Sequence, residues 1–261
     1  MTPATKTLSL LALGAATLAT GSLATPTPAS AAEGKTNRNG QVTVTGNGSY
    51  TLGNPAAPVK VTEYISYTCS HCAALHRESD PVLRTTAIPQ GKVALTVSNL
   101  VRNPVDITIA LLTSCGDPKT FFVRHNAFLA SQDTWLPKAA SASEAQRKRW
   151  AEGELPQRLR AIASDLDFYE KVEHFGVTRS QADQCLADKA QLDKVMAQYQ
   201  AASQLKLTGT PGIVINGKVL YATKDGKVLQ SPMGGPLQAT QWKDMSAAIT
   251  KALAANTAGQ I

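Results

Sequence analysis

Two cysteines three positions apart, in the run Cys69-Ser70-His71-Cys72, follow directly on the strand-like stretch Val59 to Tyr67. Such a pair suits the start of a helix, where residues three apart are neighbours and two sulfurs can bond with little backbone movement. The first sulfur then lies beside the unpaired N–H groups of the helix N-terminus. Those donors and the macrodipole favour thiolate over thiol. The segment is therefore expected to fold as strand, junction, helix. The chemistry it supports is disulfide exchange with other proteins, with Cys69 as the attacking sulfur.

The first residues have the pattern of an export signal, with Lys6 as the positive region, an apolar stretch from Leu8 to Ala24, and Ala29-Ser30-Ala31 as a small-residue cleavage site. Residues 1–31 are thus expected to be removed, and 32–40, small, polar and glycine-containing, to form a flexible leader. A retained membrane anchor is the weaker reading, because Thr, Gly and Ser interrupt the apolar stretch. The chain has four cysteines, which suits an oxidising compartment and permits complete pairing. Spacing selects Cys69 with Cys72 and leaves Cys115 with Cys185, two buried free thiols being the alternative for the latter. Net charge is +7, but the basic residues are scattered. The densest run, Arg147-Lys148-Arg149, has Glu144, Glu152 and Glu154 nearby and fits a solvated helix face better than a nucleic-acid surface.

Alternation predicts strands at 41–45 and 49–52 around the turn Gly46-Asn47-Gly48, then at 59–67 and 92–101. Pro81 is expected to kink or interrupt the first helix near Asp80. From about Val105 to Leu207 the pattern is helical. Leu159, Ile162, Leu166, Tyr169 and Val172 recur at helical spacing up to Gly176, and Thr178 with Gln181 forms a capping-box pattern for a helix continuing through Leu192, Val195 and Tyr199. Strand returns at Ile213-Val214-Ile215, Asn216-Gly217 is a two-residue turn into 218–221, and a last helix is expected over about 238–254. This order builds a small mixed sheet covered by helices, from which the helical block is an excursion.

His71 lies between the sulfurs, and as a cation or N–H donor it would hold the thiolate. The other histidines, His76, His125 and His174, read as incidental. Glu63 shares a strand face with Val59, Val61 and Ile65, where an unpaired carboxylate is costly. A raised pKa there would let it pass a proton to or from Cys72, unless that end of the strand is open to solvent. A Cys115–Cys185 bridge would tie the ends of the helical excursion and stabilise by about 4 kcal/mol in the chain-entropy treatment. A structural zinc would need a second pair of ligands at short spacing, which the sequence lacks, so no metal site is assigned.

With the C-x-H-C run, a strand Glu six residues before Cys69, a long helical insertion, and Thr210-Pro211 within Thr208-Gly209-Thr210-Pro211-Gly212, the chain resembles the DsbA-family thiol:disulfide oxidoreductases of the thioredoxin superfamily. The resemblance implies an α/β class chain, a thioredoxin fold with a large inserted helical domain. The thioredoxin-like part would be 41–103 and 208–255, the insertion 104–207, and the tail 256–261. It further implies that Pro211 is cis beside Cys69, with Ser70, Thr210 and Pro211 meeting substrate. No cofactor is expected beyond the redox-active disulfide. The implied partners are reduced, unfolded secreted proteins, with a DsbB-like membrane oxidase as candidate electron acceptor, and the implied state is a periplasmic monomer. Ser70 and Thr210 depart from the common family pattern, which has proline at the first position and often an apolar residue at the second. The second cysteine pair resembles a subgroup with a bridged helical domain.

Two other functions stay open on sequence. One is a disulfide isomerase or reductase, although 32–58 is too short for a separate dimerisation domain. The other is a non-catalytic module that uses a thioredoxin-like sheet edge to hold extended chains or a metal.

Overall fold

Strand β3 (Val59–Ile65) lies inside a six-stranded sheet, with Val59, Val61, Glu63 and Ile65 buried on one face while Lys60 on the other stays exposed. In this computed structural model, which describes residues 38–258, β3 is preceded by a hairpin of β1 (Val42–Val44) and β2 (Tyr50–Leu52), with Val44 opposite Tyr50. The expected export signal, the first part of the leader and the end of the tail lie outside the described residues. After β3 come α1 (Ser70–Thr85) and β4 (Val93–Asn99), which runs parallel to β3. The later strands β5 (Gly212–Ile215) and β6 (Lys218–Val219) form an antiparallel pair beyond β3, which gives the order β1-β2-β4-β3-β5-β6.

Between β4 and β5 the chain makes eight helices: α2 (Pro104–Thr113), α3 (Phe121–Ala130), α4 (Gln132–Ala140), α5 (Glu144–Ala151), α6 (Leu155–Asp165), α7 (Phe168–Glu173), α8 (Arg179–Leu186) and α9 (Lys189–Gln204). A short hairpin of β7 (Thr223–Lys224) and β8 (Lys227–Val228) precedes the last helix, α10 (Trp242–Ala258), which packs on β3, β5 and α1. The architecture is the α/β sheet with a helical excursion that the sequence implies. One apolar core runs through both parts, from Leu52 and Val61 in the sheet to Ile109, Phe128 and Leu159 in the helices. A bond between Cys115, just after α2, and Cys185 in α8 joins two helical segments of the excursion.

The structure differs from the sequence reading at several breaks. Pro81 lies inside an α1 that is uninterrupted to Thr85, because buried Leu75, Ser79 and Leu83 anchor one face on both sides of it. The apolar series Leu159 to Val172 is split between α6 and α7 at Asp167, whose φ of 58° is left-handed. All five apolar residues of the series are buried nonetheless. The capping box at Thr178 and Gln181 forms, but its helix stops at Leu186 and α9 starts anew, its first turn capped by Asp188 accepting from Gln191 N at 3.0 Å. The last helix begins at Trp242 instead of near Gln238, because Gln238 pairs with Tyr221 as an extended bridge.

Candidate active site

Cys69 is the N-cap of α1, with extended backbone (φ −94°, ψ 117°) and no side-chain cap. Its carbonyl accepts the first helical bonds, from Cys72 N at 3.1 Å and Ala73 N at 3.3 Å. This places Sγ at the end of the helix where the main-chain donors point. Both thiols are free and buried, Cys69 at 5% and Cys72 at 2% exposure. The Cys69 thiol donates to the carbonyl of Thr210 at 3.2 Å, and the Thr210–Pro211 peptide is cis. The Thr210 hydroxyl oxygen is buried without a fixed partner, close enough to both sulfurs to favour charge on either.

These contacts separate the two sulfurs electrostatically. Hydrogen bonding from Cys72 lowers the Cys69 pKa most, and Thr210, the Cys72 main-chain N–H and the Arg102 charge add to it. Together they outweigh the opposing effect of burial and bring Cys69 to about 5. Cys72 moves the other way, well above the ordinary thiol value, first because it is buried and then because it faces Cys69. At neutral pH the reduced pair is one thiolate and one thiol.

The loop before Cys69 is held by the first helix of the excursion. Fully buried Asp106 accepts from Thr68 N, Ser66 Oγ and Arg102 N, each at 2.8 Å. Arg102 in turn donates from Nε to Ser66 Oγ at 3.0 Å and from Nη2 to Thr68 Oγ1 at 3.2 Å. From α4, buried Gln132 donates to the carbonyls of Tyr67 at 2.6 Å and Cys69 at 3.0 Å. Tyr67 OH meets His125 Nδ1 at 2.9 Å in an aromatic cluster where burial keeps His125 neutral.

Glu63 pairs with Val97 on one side and Ile213 on the other, in the middle of the sheet. Its side chain is buried, and Oε1 has no hydrogen-bond partner. Burial first and the Asp80 charge second raise its carboxyl to about 7, so it exchanges a proton near neutrality. Ser70 and His71 are exposed, and His71 lines a shallow cleft with Leu75, Glu78 and Trp242.

Of the residues singled out from sequence, Cys69, Cys72, Thr210 and Pro211 come together, and Glu63 is buried in the adjoining strand β3 between Val97 and Ile213. Cys115 and Cys185 lie apart, in the helical region. Arg102, Asp106 and Gln132 were not singled out. Asn103-Pro104 followed by Asp106 is a legible helix start, and Asn103 does accept from Asp106 N at 3.0 Å. Nothing local signals that the Asp106 carboxylate turns back to the cysteine loop.

The sheet order, the interrupting helices, the cysteine pair at a helix start and the cis proline opposite it define a thioredoxin-type dithiol protein. The Thioredoxin family model matches residues 45–233, and the chain belongs to that family. Its fold is DsbA-like. The protein-disulfide isomerase from Novosphingobium aromaticivorans is 37% identical, with a TM-score of 0.69 over 78% of this chain and 97% of that one. Wolbachia pipientis alpha-DsbA1, 22% identical with a TM-score of 0.56 over 81% of this chain and 94% of that one, shares the fold. A Rickettsia typhi protein provisionally named a protein-disulfide oxidoreductase is 28% identical over 173 residues, 66% of this chain and 56% of that protein. The chain thus spans about half the length of the curated relatives it matches.

Proposed function

We propose that the chain is an exported thiol:disulfide oxidoreductase that passes a disulfide from Cys69–Cys72 to reduced, unfolded client proteins in the periplasm. The observation that carries this reading is the split between the sulfurs, with Cys69 at about 5 and Cys72 well above the ordinary value. A thiolate of such low basicity is a good leaving group, so a disulfide through Cys69 is readily given away.

In the oxidised protein a client thiolate attacks Cys69 Sγ. The Cys69–Cys72 bond breaks, and the electron pair goes to Cys72, which takes up a proton. Glu63, half-ionised near neutrality, is the group that supplies it. A second client thiolate then attacks the client sulfur of the mixed disulfide and expels Cys69 as thiolate. The client loses two electrons and two thiol protons; one proton is retained on Cys72 and one goes to solvent. Ser70, His71, Thr210 and Pro211 surround the exchange, with the edge next to Pro211 open to an extended client chain. The thioredoxin-like part, 41–103 and 208–255, carries this chemistry and the helical part, 104–207, supports it. A DsbB-like membrane oxidase as electron acceptor and a monomeric state complete the reading.

The test is oxidation of a reduced protein by the disulfide form, followed through client thiols. The wild type should oxidise it stoichiometrically and Cys69→Ser should not; full activity in Cys69→Ser overturns the assignment. A second reading, isomerase or reductase, draws support from the Novosphingobium neighbour that carries the name protein-disulfide isomerase. A reduction potential near the thioredoxin value of about −270 mV, instead of toward about −120 mV, selects reductase. Metal in the purified protein together with no thiol exchange selects the binding-module reading.

A further inference from the structure

The loop 208–212 sets the position of both Thr210 and Pro211, yet its upstream end is fixed by a side chain from a distant part of the chain. Gln238 Oε1 accepts from Thr208 N at 2.7 Å and from Thr208 Oγ1 at 2.9 Å. The Gln238 backbone is held in turn. It forms an antiparallel bridge with Tyr221, Ala222 N donates to Leu237 O at 2.8 Å, and Ala239 N donates to Leu220 O at 3.0 Å. Residues 220–222 continue directly from β6, which is paired to β5, so Gln238 is referenced to the central sheet.

Gln238 also comes close to the loop's other end. A Cβ on Gly212 would sit 3.3 Å from Gln238 Nε2 and 2.8 Å from Leu207 Cδ1. The absent side chain at 212 thus leaves room first for Leu207 and then for the Gln238 carboxamide. Nε2 is buried and donates to nothing, so the acceptor oxygen alone carries the polar contact. The bond from the Thr208 main-chain N–H, which can only donate, fixes which end of the amide is which. Gln238 and Leu237 also line a cleft of about 140 Å³ shared with Thr210 and Pro211.

We infer that Gln238 is a positioning residue for the exchange reaction: its side-chain carbonyl clamps Thr208 and so sets the Thr210–Pro211 loop against the Cys69 sulfur. The inference rests on the reading above and adds to it a residue that acts through the loop, without touching either sulfur. Removing the clamp lets the Thr210 hydroxyl, the group of that residue that favours charge on Cys69, drift from the sulfurs, and misplacement on the order of an ångström is enough to cost up to about a hundredfold in rate.

The decisive measurement is the ultraviolet titration of the Cys69 thiolate in reduced Gln238→Met, which keeps the length of the side chain and removes the acceptor. The midpoint should rise by about half a unit or more, and kcat/KM for client oxidation should fall about tenfold, within the range such misplacement produces. Thr208→Val, at an exposed position and keeping the main-chain N–H, should give a smaller change in the same direction. Gln238→Glu, which restores an acceptor oxygen, should recover most of kcat/KM. A folded Gln238→Met with unchanged midpoint and unchanged kcat/KM overturns the inference. So does a loss that follows the melting temperature and is not recovered by Gln238→Glu. The thiolate titration needs no client, so a wild type without exchange activity refutes the proposed function and leaves this test intact.

Discussion

Asp106 Oδ1 accepts the main-chain N–H of Thr68 at 2.8 Å, so a buried carboxylate in the first helix of the excursion holds the residue next to Cys69. Its other oxygen binds Ser66 Oγ and Arg102 N, and Arg102 returns to Ser66 and Thr68. The excursion is therefore part of the frame that fixes the cysteine loop. Asp106→Ala leaves these donors without their acceptor. It should destabilise by about 3 kcal/mol, on the scale of a buried charged group removed from its partners, as read by urea unfolding. Unchanged stability would mean that water replaces the carboxylate.

Cys72 is the largest single influence that lowers Cys69. Cys72→Ala should therefore move the Cys69 thiolate midpoint upward from about 5 by a unit or more, followed by ultraviolet absorbance. The same variant should fail to oxidise clients, since without Cys72 there is no Cys69–Cys72 disulfide to give away. A midpoint still near 5 would shift the credit to Thr210, the helix terminus and Arg102.

Glu63 gives a stability prediction with a defined sign. Its folded pKa is raised, from 4.5 to about 7, so the folded state holds its proton more tightly than the unfolded chain does. Below pH 4.5 both states are protonated and the group contributes no penalty; as pH climbs through 7 the unfolded state gains from ionising and the folded state loses stability by comparison. Glu63→Leu should thus be more stable than wild type at pH 8, by on the order of 3 kcal/mol, with the gain fading as pH is lowered toward 4.5. Client oxidation by this variant should slow, because Cys72 loses its proton source. A gain in stability that does not vary with pH would point to packing alone.

The Cys115–Cys185 bond closes a separation of 70 residues. Replacing both cysteines by Ala should lower stability by about 4 kcal/mol, an upper figure in the chain-entropy treatment. The Cys69 thiolate midpoint should stay where it is, because the bond lies in the helical region away from the sulfurs. A shifted midpoint would show that the bridge sets the geometry of the cysteine loop.

Features governed by near neighbours in the chain were legible in the sequence. The three-residue spacing of Cys69 and Cys72, the strand phase that buries Glu63 beside Val61 and Ile65, and the reciprocal cap of Thr178 and Gln181 each depend on a few adjacent residues and on helix or strand geometry. The cis state of the Thr210–Pro211 bond came from family resemblance, since no local rule supplies it. Helix breaks at Asp167 and Asp188 escaped the periodicity because the buried faces run on across them, and a break that preserves burial leaves the apolar pattern intact. What acts on the Cys69 sulfur was decided by tertiary structure. Arg102 and Asp106, Gln132, and Gln238 come from three separate segments, and each is an ordinary polar residue until packing brings it to the site and, for Asp106 and Gln132, buries it. Burial removes water as a competing partner, so which main-chain groups these side chains reach becomes a property of the folded chain, beyond anything their own sequence context specifies.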